Sequence, residues 1–305
     1  MEHVRWLAQP KLHRPTVIAA FTGWNDAGDS ASGAVRHLVE QWGALALAEI
    51  DPEDFTDFAT VRPHVRLSDG VTRTIMWPTV GVWSASTPGG DVVLILGPEP
   101  ALRWRSFTEQ VIAIARHMDA SMIITLGALL ADVAHSKPVQ VIGTATDQTM
   151  IDRFDLQHSR YEGPTGIVGV LHDACQRADL PSASLWAAVP AYASQVPSAK
   201  ATLALVTRVC GMIGTPTPVG PLSAAARDYE TRVTAMVNND DDLIGYVARL
   251  EAMGYDDLDD DEVFEVDDDD DDVDDISLTT LNEAVLDSDE LMAEVEQFLR
   301  EQPEP

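Results

Sequence analysis

Several features that commonly indicate a function are scarce or missing in this sequence. Only two of the 305 residues are cysteines, Cys175 and Cys210, which is too few for a disulfide framework and typical of a reducing compartment. Only three are lysines, and none lies in a glycine-rich loop of the kind that holds nucleotide phosphates. No basic stripe is visible. We therefore exclude binding to a nucleic-acid backbone or to an anionic membrane surface.

Long hydrophobic runs are also missing. The longest stretch without a charged residue, Leu180–Ala199, contains three prolines and four serines, which is not the composition of a membrane span. The first apolar run, Thr16–Phe21, is too short to form a secretory signal. The sequence therefore predicts a soluble cytoplasmic protein that has neither a membrane nor a nucleic acid as its partner.

The charge of the chain is concentrated at its end. Acidic residues number 50 and basic residues 20, which gives a formal charge of −30. Between Asp256 and Pro305 there are 23 acidic residues and one arginine, so this segment carries −22 of the total. Asp256–Asp275 contains no basic residue at all, a composition typical of a self-repelling, disordered linker.

The rest of the chain has the pattern of an α/β fold. Short apolar runs alternate with segments whose apolar positions repeat every three to four residues. This alternation predicts a three-layer α/β/α sandwich around a mostly parallel mixed sheet, with an inserted or edge hairpin. The predicted strands are Thr16–Phe21, Ala44–Ile50, Asp91–Leu96, Ser121–Leu126, Val139–Ala145 and Leu185–Val189, and the hairpin strands are Arg62–Leu67, Thr72–Trp77 and Val80–Ser86.

The same patterns predict three regions along the chain. Residues 1–255 form an α/β/α core domain, in which residues 222–254 are a helical hairpin that ends near Gly254. Residues 256–278 are the acidic disordered linker. Residues 279–305 are a short amphipathic helix and tail, because five apolar residues fall on one side of a helix: Leu291, Met292, Val295, Phe298 and Leu299.

Two segments supply candidate residues for a ligand site. The first, Phe21–Gly28, is a strand-to-helix turn that contains Trp24, Asn25 and Asp26. Open α/β sheets bind ligands at such carboxyl ends of strands. The sequence leaves a structural alternative open, in which Asp26 caps the helix and the glycines permit close packing.

The second segment, Tyr161–Ile167, precedes a helix predicted from Thr165 onward. Pro164 suits a first helical turn, and free amides there could hold an anion or a carboxylate. Glu162 would repel an anion and is better suited to a hydroxyl, an amine or a neighbouring arginine. A structural cap is again the alternative. Four residues that follow other strands are predicted to line the same crevice: Glu99, Gly127, Asp132 and Asp147.

No complete catalytic or metal-binding constellation accompanies these segments. The sequence has no Walker-type phosphate loop, no Gly-x-Gly-x-x-Gly and no His-Glu-x-x-His. His172 and Cys175 share a helix face and would supply half of a metal site. We therefore predict no cofactor, no metal and no catalytic residue, which favours a protein that is not an enzyme.

Three stretches carry a family resemblance: Gly23–Gly28, Ile123–Asp132 and Tyr161–Gly166. In these motifs the chain resembles the bacterial, actinobacterial-type branch of the proteasome assembly chaperone family, over about Val4 to Tyr255. The resemblance implies a sandwich fold related to nucleoside phosphorylases and peptidyl hydrolases. It also implies a homo-oligomer and, from archaeal and eukaryotic relatives, protein partners among the proteasome subunits.

Two features depart from the family pattern. Archaeal relatives that dock on the proteasome ring can end in a hydrophobic residue, tyrosine and any residue, whereas this chain ends Gln302-Pro303-Glu304-Pro305. Docking through such an ending is not expected here. Some related sequences are labelled ATP-grasp-like ligases, but the lysines of this chain do not form a nucleotide loop.

Two functions remain as hypotheses. The first is a non-enzymatic protein-binding module that assists the assembly or function of the proteasome, with the acidic tail and terminal helix as a tethered arm. The second is a small-molecule-binding protein or enzyme that uses the crevice. Its predicted ligand-binding residues are Trp24, Asn25, Asp26, Glu99, Gly127, Glu162 and Thr165. Carboxylates that converge in a closed pocket would favour the second hypothesis, and scattered or exposed ones the first.

Overall fold

Ten strands and seven α-helices make up the part of the chain that the computed structural model describes, residues 2–252. The predicted linker, the terminal helix and Gly254 lie outside these residues. The strands are β1 Val4–Trp6, β2 Thr16–Thr22, β3 Leu45–Ile50, β4 His64–Ser68, β5 Thr72–Met76, β6 Val80–Thr87, β7 Gly90–Pro98, β8 Met122–Ala131, β9 Val141–Ala145 and β10 Ser182–Pro190. The helices are α1 Ser30–Gln41, α2 Trp104–His117, α3 Gln148–Phe154, α4 Ile167–Arg177, α5 Ala199–Ile213, α6 Leu222–Val237 and α7 Asp241–Ala252.

Eight of the strands form one mixed sheet in the order β1-β3-β6-β7-β2-β8-β10-β9. The four central strands β7, β2, β8 and β10 are parallel to one another, and the strands on both sides of them are antiparallel. The prediction of a mixed sheet is confirmed, but the prediction of a mostly parallel one is wrong toward both edges. The link from Thr87 to Gly90 is too short for a parallel crossover, so β6 must pair with β7 as a hairpin.

Helices cover both faces of the sheet. On β2, Ile18 and Ala20 face a core that includes residues of α1 and α5. Val17 and Ala19 face the opposite core, to which α2 and α4 contribute. Because the central strands are buried on both faces, their side chains are apolar in unbroken runs rather than alternating, which is why the sequence showed them so clearly.

The two last described helices extend this arrangement. Helix α6 packs against α5, and α7 packs against α6. Tyr229 and Val233 of α6 and Val247 of α7 form a small separate core together with Ala193. The helical hairpin predicted at 222–254 is thus present as far as residue 252. None of the described helices is both long enough and apolar enough to cross a membrane.

Candidate functional site

Three loops meet at the carboxyl ends of the parallel strands. Thr22 at the end of β2 lies opposite Pro98 at the end of β7, and the Glu99 amide donates to the Thr22 carbonyl (2.9 Å). The chain after β2 continues beside β8, where the Ala128 amide donates to the Asn25 carbonyl (2.8 Å). The first motif segment therefore lies next to Glu99 and next to the middle motif stretch, Ile123–Asp132, which contains Ala128.

The Glu99 carboxylate connects the two predicted segments. Its Oε1 accepts from Asn25 Nδ2 (2.7 Å) and from the backbone amide of Ile167 (2.8 Å). Ile167 is the first residue of α4, so the carboxylate lies at the positive end of that helix. The sequence predicted that amides here could hold an anion or a carboxylate. In the structure the chain supplies that carboxylate itself.

Gly166 makes this contact possible. A Cβ at Gly166 would overlap the side-chain amide of Asn25, which is only 1% exposed. Helix α4 begins at Ile167, two residues later than predicted, so Pro164 and Thr165 belong to the preceding loop. The glycine allows the end of this loop to approach Asn25 closely.

Asp26 holds the start of α1. Its Oδ1 accepts from the amides of Ala31 (2.7 Å) and Ser32 (3.0 Å), although a short 3₁₀ turn, Ala27–Asp29, separates it from the helix. The side chain is 5% exposed, and this burial raises the pKa of Asp26 above its usual value, against the opposing effect of its hydrogen bonds. The capping alternative for Asp26 is therefore present in the structure.

The other predicted ligand residues differ in their surroundings. Trp24 is 56% exposed, and Glu162 and Thr165 also lie at the surface. Gly127 is buried in β8 beneath the Trp186 ring, which a Cβ would approach to 2.5 Å. Asn25, Asp26 and Glu99 are thus tied into the protein, whereas Trp24, Glu162 and Thr165 are available to solvent.

Two further residues predicted for the same crevice have other hydrogen-bond partners. Asp147 caps α3 by accepting from the Met150 amide (3.0 Å). Because β9 is antiparallel to β10, this cap lies toward the opposite end of the sheet from Glu99. Asp132 instead accepts a hydrogen bond from the Tyr246 hydroxyl (2.6 Å) of α7. The prediction that Asp147 lines this crevice is therefore wrong, whereas Asp132 follows the carboxyl end of β8 and is engaged with α7.

A second polar cluster, which the sequence reasoning missed, joins the loop after β8 to α6. The His135 ring lies 2.8 Å from the Tyr192 hydroxyl through Nδ1 and 2.9 Å from the Thr234 hydroxyl through Nε2. The Tyr192 oxygen already accepts from the His135 backbone amide (2.7 Å), so we assign its proton to the bond with Nδ1. The imidazole is then neutral and donates from Nε2 to Thr234.

Lys200, at the start of α5, binds the same loop and connects it to α6. Its Nζ donates to the carbonyls of His135 (2.6 Å) and Lys137 (2.5 Å) and pairs with Glu230 of α6 (2.5 Å). Burial, followed by the nearby Lys200 charge, lowers the pKa of His135. A lysine in the first turn of a helix is unfavourable because its charge opposes the helix dipole. Its position in the sequence is therefore a signal that Lys200 has specific partners that compensate for this cost.

Comparison with known proteins identifies the family. The profile of the PAC2 family matches residues 20–237, which include both motif segments and Glu99. The chain belongs to the PAC2 family. This membership confirms the resemblance that the motifs carried.

Solved structures of the PAC2 family resemble the chain closely. A PAC2 family protein from Streptomyces avermitilis is 42% identical, with 76% of this chain and 99% of that one covered and a TM-score of 0.71. A proteasome-assembly chaperone homologue from Mycobacterium tuberculosis is 44% identical, with the same coverage and a TM-score of 0.69. No curated protein matches the chain significantly.

A more distant structure shares the fold alone. An archaeal proteasome activator from Pyrococcus furiosus is 16% identical, with 76% of this chain and 97% of that one covered and a TM-score of 0.63. The arrangement of strands and helices therefore extends to proteins whose sequences have diverged widely.

Proposed function

We propose that this PAC2 protein is a protein-binding module, not an enzyme, and that it assists the assembly or function of the proteasome by binding its subunits. The observation that carries the proposal is the 44% identity to the Mycobacterium tuberculosis proteasome-assembly chaperone homologue over three quarters of the chain. Proteins this similar over a whole domain share their fold and commonly their binding surfaces.

The chemistry of the motif residues supports a binding module. One oxygen of each of two carboxylates that a catalytic crevice would use is engaged within the protein, because Glu99 Oε1 accepts from Asn25 and Ile167 and Asp26 Oδ1 accepts from two amides. These bonds hold the motif loops in place. A rigid pair of loops is a suitable support for side chains that contact another protein.

The exposed residues of the same loops supply the proposed contact surface. Trp24 presents more than half of its surface to solvent, and tryptophan is one of the residue types enriched among the residues that dominate binding at protein interfaces. Glu162 and Thr165 are exposed on the second motif loop. We propose that Trp24 is the apolar anchor of this surface and that Glu162 and Thr165 form part of its polar rim.

The test is affinity purification from the native cytoplasm with tagged protein. Full-length chain should recover proteasome subunits in stoichiometric amounts, and Trp24→Ala should reduce the recovery at least tenfold. Val219→Ala, at another exposed apolar residue, is the matched control and should recover as much as wild type. Deletion of residues 256–305 tests whether the acidic tail takes part. Recovery of no proteasome subunit by full-length protein would contradict the proposal.

One observation favours the second candidate function, a small-molecule site in the crevice. Asn25 Oδ1 is buried and accepts no hydrogen bond from the described residues. A ligand hydroxyl or amine could donate to it. Thermal-shift screening should then yield a compound that raises the Tm of wild type and fails to do so for a Trp24→Ala, Glu162→Ala double variant. If every compound raises the Tm of both proteins equally, the crevice is not the site.

A further inference from the structure

A cavity lies between the end of β10 and the helices α6 and α7, apart from the Glu99 contact. The loop after β8 and the first turn of α5 surround it, and Tyr229 of α6 and Leu250 of α7 contribute to its wall. The ends of β8 and β10 lie side by side here, because Ala131 pairs with Pro190. Open α/β sheets bind ligands outside the carboxyl ends of their parallel strands. The cavity therefore has the position of a ligand site in this class of fold.

The size and the walls of the cavity suit a small molecule that is largely apolar. Its volume is about 50 Å³, whereas a single water molecule needs about 10–15 Å³ of such space. Apolar side chains form much of the wall, among them Val139, Ala188 and Leu250. The cavity thus has room for one molecule of a few non-hydrogen atoms, with an apolar part against these side chains.

Two polar groups of the lining residues lack hydrogen-bond partners within residues 2–252. Tyr229 is fully buried, and its hydroxyl makes no hydrogen bond there. Burial raises the pKa of Tyr229, against the opposing effect of the nearby Ser198 hydroxyl, so the phenol stays protonated and can donate. The side-chain oxygen of Gln140 is also buried and accepts no hydrogen bond from these residues. Buried polar groups are nearly always paired, so both atoms indicate a partner inside the cavity.

The charged groups beside the cavity do not favour a charged partner. Lys200 has three N–H donors, and it uses them on the carbonyls of His135 and Lys137 and on the carboxylate of Glu230. An anion therefore finds no free donor on Lys200. Asp132 and Lys137 are exposed, so water and salt screen their charges. The groups left for a ligand are neutral, one hydroxyl donor and one amide acceptor.

We propose that this cavity binds a small uncharged molecule whose polar end both donates and accepts hydrogen bonds, of which a primary carboxamide is the simplest example. Its N–H group donates to the Gln140 side-chain oxygen, and its carbonyl accepts from the Tyr229 hydroxyl. Its alkyl part contacts the apolar wall. Because α6 and α7 contribute to that wall, the bound molecule holds both helices against the end of β10. This site is independent of the proposed binding to proteasome subunits.

Saturation-transfer NMR on the full-length chain tests the proposal, with propionamide as the probe. Propionate and propylammonium have nearly the same shape but carry a charge, and they are the matched comparison. Propionamide should bind with a Kd below about 10 mM, which is within reach of a molecule of five non-hydrogen atoms. Each charged probe should bind at least tenfold more weakly, because the cavity offers it no free counter-charge.

Two substitutions locate the binding in this cavity. Tyr229→Phe removes the hydroxyl and keeps the ring, and Gln140→Met removes the amide at a similar length. Each should weaken propionamide binding about fivefold, because one hydrogen bond is lost. Tyr161→Phe removes a hydroxyl from the second motif segment and should bind propionamide as wild type does. The Tm of Tyr229→Phe without probe should not fall, because this hydroxyl has no hydrogen bond to lose in the described part of the chain.

Three outcomes would overturn the proposal. If propionamide does not bind at about 100 mM, the two polar groups are paired by water only. Binding that neither Tyr229→Phe nor Gln140→Met weakens takes place elsewhere on the molecule. Propionate or propylammonium that binds as tightly as propionamide contradicts an uncharged ligand. Far-UV circular dichroism shows that each variant is folded before its binding is compared.

Discussion

At the scale of single residues, the motif side chains are best understood through the contacts they make with one another. The sequence singled out Asn25, Asp26 and the amides at the start of α4 because strand ends and helix starts are visible in the pattern, and their role in binding a ligand stays a prediction. It did not predict that Glu99 would supply the carboxylate to those amides, since that contact joins residues 68 positions apart. Local pattern carries no information on such a pairing.

A methyl group at Gly166 should destabilise the protein. We expect Gly166→Ala to lower the free energy of unfolding by about 2 kcal/mol, because the added Cβ overlaps the buried Asn25 amide. Gly211→Ala is the control, since a Cβ at this exposed helical position meets no other atom. That change should stabilise the protein by up to about 1 kcal/mol. Urea unfolding measures both, and equal effects would contradict the packing role of Gly166.

Removal of the Glu99 carboxylate should leave two hydrogen-bond donors without an acceptor. We expect Glu99→Ala to cost about 3 kcal/mol in the free energy of unfolding, because Asn25 Nδ2 and the Ile167 amide lose their shared acceptor. Glu99→Gln retains an acceptor and should cost about 1 kcal/mol.

The control for this change is Glu162→Ala, at an exposed glutamate of the neighbouring loop. It should change the free energy of unfolding by no more than about 0.5 kcal/mol. If Glu99→Ala proves as mild as the control, Glu99 does not hold the two loops together.

At the scale of elements, the sequence located every strand except the short edge strand β1 to within a few residues, but it did not give the direction of the strands toward the edges. β2, β7 and β8 have unbroken apolar runs because helices cover both of their faces. The direction of β3, β6 and β9 could not be predicted, because pairing direction depends on which strands meet and on how short the links between them are. Helix α3 was missed for a related reason: it has only seven residues, and its cap Asp147 was interpreted as a site residue.

The attachment of α6 to the loop after β8 should depend on pH through His135. Burial lowers the pKa of His135 in the folded protein below its ordinary value of 6.5. The unfolded chain therefore binds more protons between these two pKa values, and the free energy of unfolding falls as the pH decreases from about 7 through that window. His172, whose pKa burial also lowers, acts in the same direction.

Urea unfolding between pH 7.5 and 5.5 tests this dependence. His135→Gln keeps hydrogen-bonding groups at the position but cannot take up a proton. We expect it to lose less stability over this range than the wild type does. His172→Gln provides the comparison for the second histidine. A wild-type slope in His135→Gln would show that His135 does not contribute.

At the scale of the whole molecule, the uneven charge predicts that the fold does not need the last fifty residues. We expect deletion of residues 256–305 to leave a cooperative unfolding transition with an unchanged free energy of unfolding. The reason is that this segment carries −22 of the charge, so that it repels itself and the acidic body more strongly than a core contact would attract it. Calorimetry of the full-length and shortened chains measures the effect, and a loss of cooperativity on deletion would contradict it.

The proposed function is binding to proteasome subunits, and sedimentation velocity of two purified components tests it most directly. Full-length chain and proteasome α subunits from the same organism are mixed at about 10 µM each. We expect a new species that sediments faster than either component and saturates at a fixed stoichiometry. Trp24→Ala should weaken the association of the two proteins at least tenfold. Independent sedimentation of the two proteins, even at about 100 µM, would contradict the proposed function.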